Sequence, residues 1–275
     1  MNRILAVLVN YGDEQINYLE KVINELKSFR KYHVTIMVNS NIPLNIKGID
    51  ILNIHELDDY QLLPSTCRKD IWENRKNYDV FLYGENDHLF LEKHIDNHLK
   101  YEKLLPKNRV SGLIQYEQNN LEKFYPGYHA HFDWDYKSIE KHGDKYFAHF
   151  TNLHQATFIL SQNQLIKVGS KINFVVLHKE KPENEFYFKL KKKMRGYFSL
   201  KTKRKYVYSR KCKVNSDIYE YAGLKKMICI SDFEDNLIHH LPNLYINGDK
   251  GRWKNDTDPN RMDVALKILF ELIDK

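Results

Sequence analysis

Cysteine is scarce in this chain. Only Cys67, Cys212 and Cys229 occur in 275 residues, with no paired spacing among them. That excludes an even disulfide framework and a cysteine zinc site, and it points to a reducing compartment. Long apolar runs are missing as well. The N-terminal run from Ile4 to Val9 is too short for a membrane span or for the apolar core of a signal peptide. It reads as a first buried strand, so a cytoplasmic protein is expected, with any membrane contact peripheral. The chain also lacks internal repeats and low-complexity linkers.

What the sequence does contain suits a folded enzyme-sized unit. Hydrophobic residues make up 42% and aromatic residues 13%, enough for a substantial core and too much for a disordered chain. The formal net charge of +7 favours an anionic partner such as a nucleotide, a polysaccharide, nucleic acid or an acidic membrane surface.

The pattern begins as β-α-β. Residues 4–9 are apolar on both faces, as in a strand of a parallel sheet. Ile16, Leu19, Val22, Ile23, Leu26 and Phe29 then recur at helical spacing. A second strand follows over 33–39, a third over 49–54, and a helix over 65–75 capped by Ser65 or Thr66. A fourth strand begins at Tyr78, a helix spans 92–104 before Pro106, and a strand covers 110–116. This alternation predicts an α/β fold built on a doubly wound, mostly parallel sheet. Residues 1–117 form its first half, and 118–275 form a second half in which the alternation weakens. There the expected elements are strands over 146–150, 156–160 and 227–230, a helix over 162–168 capped by Ser161, and a closing amphipathic helix over 261–273. Residues 189–213 carry twelve lysines and arginines. This segment suits an anionic acceptor or a lipid surface, or else is a solvated basic face. No nucleic-acid motif accompanies it.

The stretch with most chemistry is Tyr78-Asp79-Val80-Phe81-Leu82-Tyr83-Gly84-Glu85-Asn86-Asp87-His88. An apolar strand ends there in carboxylates. Open α/β sheets bind ligands at the C-terminal edge of their strands, and hard oxygen ligands at that edge suit a divalent cation and, through it, a diphosphate.

A β-α-β start, a strand ending in an acidic triplet, and a late histidine before a turn together resemble the GT-A superfamily of nucleotide-diphospho-sugar glycosyltransferases. The stretch around Glu85-Asn86-Asp87 is similar to small bacterial and viral sugar transferases of that type, with Glu85 standing where the family's DxD motif has its first aspartate. The resemblance implies a Rossmann-like GT-A sheet, a nucleotide-sugar donor, with UDP the expected nucleotide, and Mn²⁺ or Mg²⁺ held by Asp87 with help from Glu85. It also implies a distant histidine ligand, His240 in preference to His239, because a short apolar turn, Leu241-Pro242-Asn243, follows it. The two histidines would face opposite ways on a strand. Imidazole favours manganese over magnesium. By the same resemblance, the loop Asn10, Tyr11 and Asp13 would cradle the base, with Tyr11 stacking on it.

The remaining candidates come from residue chemistry. Asn39 and Ser40 end the second strand on the same edge. Asn86 completes the acidic triplet, and Arg68 and Lys69 would pair with phosphate. Asn152, His154 and Gln155 suit an acceptor or sugar pocket, as do His129 and His131, whose spacing also admits a metal pair. An inverting transfer needs a base for the acceptor hydroxyl. Asp217 and Glu220 are the candidates, three residues apart on one helical face, with Asp133 and Asp135 as rivals. The activity expected is hexosyl or N-acetylhexosaminyl transfer to a glycan or glycolipid in polysaccharide biosynthesis, with no nucleic-acid partner. The alternatives are a sugar-phosphate nucleotidyltransferase and a nonenzymatic glycan- or nucleic-acid-binding protein. The first usually carries a Gly-rich basic loop after its first strand, whereas Asn10-Tyr11-Gly12-Asp13 has one glycine and no lysine.

Overall fold

The computed structural model describes residues 1–126, 134–179, 208–246 and 260–274. Its largest sheet is built on strand β1 (Asn2–Asn10), which lies between β2 (Tyr32–Ser40) and β4 (Val80–Glu85), parallel to both. β3 (Ile51–Ile54) extends the parallel set beyond β2. The fifth strand, β11 (Thr157–Ser161), joins β4 antiparallel. The order is β11-β4-β1-β2-β3.

β1 is apolar throughout because both of its faces are covered. Ile4, Ala6 and Leu8 enter one core cluster, and Leu5, Val7 and Val9 enter another. Helix α1 (Ile16–Lys27) covers the first face with Leu19, Val22, Ile23 and Leu26, the i, i+3, i+4, i+7 stripe read from the sequence. Helix α2 (Thr66–Glu73) contributes Cys67 and Ile71 to the opposite face. Each such aliphatic side chain taken out of water contributes about 1.5–3 kcal/mol before chain entropy is counted. Helix α3 (Glu92–Leu104) has the predicted bounds.

Two four-stranded sheets accompany the first. One has the order β6-β12-β10-β9, comprising β6 (Arg109–Ser111), β9 (Trp134–His142), β10 (Lys145–Phe150) and β12 (Lys225–Cys229). The other has the order β5-β13-β7-β8, comprising β5 (His88–Leu89), β7 (Ile114–Gln118), β8 (Lys123–Phe124) and β13 (Leu237–His240). Both mix parallel and antiparallel pairs. Helices α4 (Gln162–Gly169), α5 (Arg210–Glu220) and α6 (Arg261–Ile273) complete the described elements.

The chain is therefore α/β with mixed sheets. The expected single, mostly parallel sheet describes only β1 to β4. The expected strand over 110–116 is two strands, β6 and β7, in different sheets, separated at Gly112 and Leu113. Strands of the two sequence halves share sheets: β11, from the second half, completes the first sheet, and β13 pairs with both β5 and β7. Among the described residues no helix is long and apolar enough to cross a membrane.

Ser161 caps α4 as expected. Its Oγ accepts from Gln164 N at 3.2 Å while Gln164 Oε1 accepts from Ser161 N at 3.0 Å. Gly84 answers to a close approach. A Cβ there would sit 2.5 Å from the Phe90 ring, so only glycine lets the last turn of β4 pass over it.

Candidate metal centre and cleft

β4 ends at Glu85, and the chain turns through Asn86 and Asp87 into β5. β5 pairs antiparallel with β13, placing His88 directly opposite His240. Cross-strand partners project from the same face of a sheet, and the two imidazole centroids lie 5.1 Å apart. On its other side β13 runs parallel to β7, with His239 beside Tyr116. One step along that register brings His240 beside Glu117.

Asp87 sits between the two histidines. Its Oδ2 is 3.2 Å from His240 Nε2, and its Oδ1 is 2.7 Å from His88 Nδ1. His240 Nδ1 lies 2.5 Å from Glu117 Oε1. Glu117 is wholly buried, and its Oε2 accepts from the backbone N–H groups of Tyr245 and Ile246 at 2.9 and 2.7 Å. Gln115, also on β7, reaches His88 Nε2 with its side-chain amide. Among the described residues, Asp87, His88 and His240 each bring one ligand atom to within 4.8 Å of the others.

One detail bears on whether a cation fits. Asp87 Oδ1 and His88 Nδ1 face each other at 2.7 Å, too obliquely for a well-formed hydrogen bond, and neither atom has another hydrogen-bond partner. Two buried ligand-type atoms left in this state carry a desolvation cost that a shared cation would offset. Two imidazoles and a carboxylate also suit a first-row divalent ion such as manganese, and suit magnesium less well.

Asp87 and His240 hold each other in their charged forms, while Glu85 shifts the other way. Burial alone would raise Asp87, but His88 and His240 outweigh it and hold the carboxyl well below the usual range. Burial opposes the charge on His240, but its contacts to Asp87 and Glu117 prevail and raise it to about 10. Glu85 is raised by burial and by the nearby charge of Asp87.

A cleft of about 440 Å³ opens next to Glu85 and Asn86, with Tyr11, Tyr60, Asp59 and Lys211 among its walls. The Tyr11 and Tyr60 rings are 5.4 Å apart and tilted by 54°, with Tyr11 exposed. The C-terminal ends of β1, β2 and β4 are tied together behind the cleft. Asn86 donates to Asn10 Oδ1 at 2.7 Å, and Asn10 Nδ2 donates to Gly12 O at 2.8 Å and reaches Ser40 Oγ at 3.4 Å.

A comparison with models of known protein families finds no match, and neither does a comparison with curated proteins.

The structure places Asp87 and His240 3.2 Å apart, with Glu85, Asn86 and Tyr11 along the adjoining cleft; Glu85, expected to help hold a cation, is not among the grouped ligand residues Asp87, His88 and His240. His239 faces away from the centre, stacked on Tyr116 and 3.3 Å from Asn243. Several other candidates have different settings. Arg68 is fully buried, and its guanidinium donates to the carbonyls of Phe174, Val176, Lys213 and Val214 while lying 3.4 Å from Asp217. It pins α2 to α5 and has no access to a phosphate. Asp217 is equally buried, bound to Arg68 and to His178 N at 2.8 Å, so no acceptor hydroxyl can reach it as it would a base.

Glu220 ends α5, half-buried. Lys69 is exposed on α2 at 3.9 Å from Glu73, and Asp13 is exposed in its loop. Asn39 is buried and committed to Thr66 and Asp70. Asp135 accepts from Lys137 N on β9. His129, His131 and Asp133 lie outside the described residues, as does most of the basic segment 189–213.

The expected acceptor trio is buried. Gln155 bonds Leu113 N, Thr157 O and Tyr219 Oη, and Asn152 accepts from Lys226 Nζ at 2.5 Å. His154 lines a small internal cavity with Asn152, Gln115 and Lys226. Burial lowers the Lys226 amine to about 7.

Sequence reasoning missed Glu117, Gln115 and His88 as members of the centre, and Tyr60 and Lys211 as cleft walls. His88 carried a signal, since it follows Asp87 directly. Gln115 and Glu117 carried a fainter one: polar residues alternating on a strand, which becomes informative only once the strand's neighbour is known.

Proposed function

We propose that this protein is a metal-dependent glycosyltransferase that uses a nucleotide-diphosphate sugar, with UDP-sugars the first donors to test and a glycan or glycolipid hydroxyl as acceptor. The observation that carries this reading is the meeting of Asp87 with His240, far apart in sequence, beside a cleft at the C-terminal edge of a parallel strand set. Asp87, His88 and His240 would hold a divalent cation, manganese by preference. Once bound, that cation would offset the negative charge that develops on a departing diphosphate.

The protein's own residues supply position and selectivity. Tyr11 and Tyr60 offer aromatic faces for a base. Lys211, in the first turn of α5, places a positive charge across the cleft from Glu85, where it would attract a diphosphate. Glu85 would serve ribose, water or the cation's outer sphere. The GT-A likeness of the β1–β4 sheet belongs to this proposal: the parallel order β3-β2-β1-β4 with ligands at its C-terminal edge supports it. A reducing, cytoplasmic setting with peripheral membrane contact through the basic segment fits the same reading.

A thermal melt tests it. UDP with Mn²⁺ should raise the midpoint, by an amount corresponding to about 2.7 kcal/mol when ligand is present at 100 times its Kd. Asp87→Asn should remove the metal-dependent part of the shift. A wild-type midpoint unmoved by every nucleoside diphosphate and metal combination would defeat the proposal.

A further inference from the structure

Glu117 stands outside the set of ligands, yet the geometry around it is more completely built than any other part of the centre. It is a buried carboxylate with both oxygens engaged: Oε1 meets His240 Nδ1 at 2.5 Å, and Oε2 receives the N–H groups of Tyr245 and Ile246. All three neighbours present hydrogen to it, so only a group with two acceptor oxygens satisfies the site. A glutamine of the same shape has one acceptor and one donor, and would set its NH₂ against a donor on one side or the other.

We infer that Glu117 is a positioning residue that assigns His240 its metal-facing nitrogen and couples occupancy of the centre to the segment 241–246. The inference rests on the metal reading above. Holding one proton on Nδ1 makes Nε2, the nitrogen facing Asp87, the atom that would release its proton to solvent and take the cation in its place. Metal-binding histidines commonly donate their second N–H to a carboxylate, which fixes ring orientation and raises ligand basicity.

The second oxygen gives the arrangement its reach. Beyond β13 the antiparallel pairing with the β5 strand runs one step further, Leu241 N donating to Asp87 O at 2.9 Å, and the Tyr245 ring then lies 5.9 Å from that of His240. The same carboxylate thus grips the ligand with one oxygen and the backbone of the following turn with the other. A cation that tightens His240 in place would tighten that turn, and loosening the turn would weaken the cation.

The test uses the full chain and Mn²⁺ alone as the probe. Free Mn²⁺ measured by electron paramagnetic resonance should show affinity about 10–100-fold weaker in Glu117→Gln than in the wild type. Two measurements on the wild type keep the inference open to refutation if that variant folds poorly. With Zn²⁺ as a diamagnetic stand-in, ¹⁵N spectra should show His240 metallated at Nε2 and protonated at Nδ1. Hydrogen exchange at the Tyr245 and Ile246 amides should slow when Mn²⁺ is added. Unchanged affinity in Glu117→Gln, coordination through Nδ1, or indifferent exchange at those amides would overturn it. A wild type that binds no Mn²⁺ would overturn the metal reading as well, and that result appears before any substitution is made.

Discussion

Two buried sets of opposite charges tie distant parts of this chain together, and they differ in the source of the positive charge. Arg68 with Asp217 joins α2 to α5 through a guanidinium that is permanently charged and spends its donors on backbone carbonyls. Asp87 with His240 and Glu117 joins the end of β4 to β13 and β7 through an imidazolium whose charge is a removable proton. Incomplete pairing alone does not separate them, since Asp217 Oδ1 also lacks a hydrogen bond. The distinction is that a guanidinium has no lone pair to offer a cation, whereas an imidazole that gives up its proton becomes a ligand. A carboxylate facing a fixed cation is a fastening. One facing histidines has neighbours able to serve as ligands.

The strongest challenge to that contrast is Arg68→Ala. It strands a buried carboxylate and four carbonyls, and should cost about 3–5 kcal/mol in urea unfolding. Asp87→Asn, measured the same way without metal, should cost less, about 1–3 kcal/mol, because the amide keeps the shape and Glu117 remains to balance His240. Equal losses in the two variants would mean that the centre is a second fastening.

A smaller effect comes from a third buried polar group, His98, which bonds Gln164 Oε1 at 2.8 Å and Ser111 Oγ at 3.0 Å with no carboxylate among these partners. Burial lowers it from 6.5 to about 4, the opposite direction to His240. Between those values the unfolded chain binds more protons than the folded one, so this contribution is full above about 6.5 and is lost as pH falls toward 4. His98→Gln should reduce the wild type's loss of stability across that window by about half, because buried His94 is also lowered to about 4 and keeps its own share. Equal pH slopes in the two proteins would show that His98 contributes nothing there.

Much of the framework was legible because it rests on local periodicity. α3 and α6 carry the predicted bounds, and β1, α1 and β2 fall within a few residues of them. The splitting of residues 110–116 between two sheets was not legible, since a short apolar run does not reveal which neighbour it will pair with. Arg68 and Asp217 misled for a related reason. Their charges suggest solvent and ligands, and only the reach of the Arg68 side chain to α5 shows that each is the other's partner.

By itself, then, the sequence determined the alternation of strands and helices from β1 to α3, the strand that ends in carboxylates, and the pair Asp87 and His240 as candidates to meet. Hydrophobic period and residue chemistry are properties of neighbours along the chain. The tertiary structure alone decided that β5, β13 and β7 lie side by side. That register set His88 opposite His240 and Glu117 behind it, because strand pairing is settled by contacts between residues far apart in the chain.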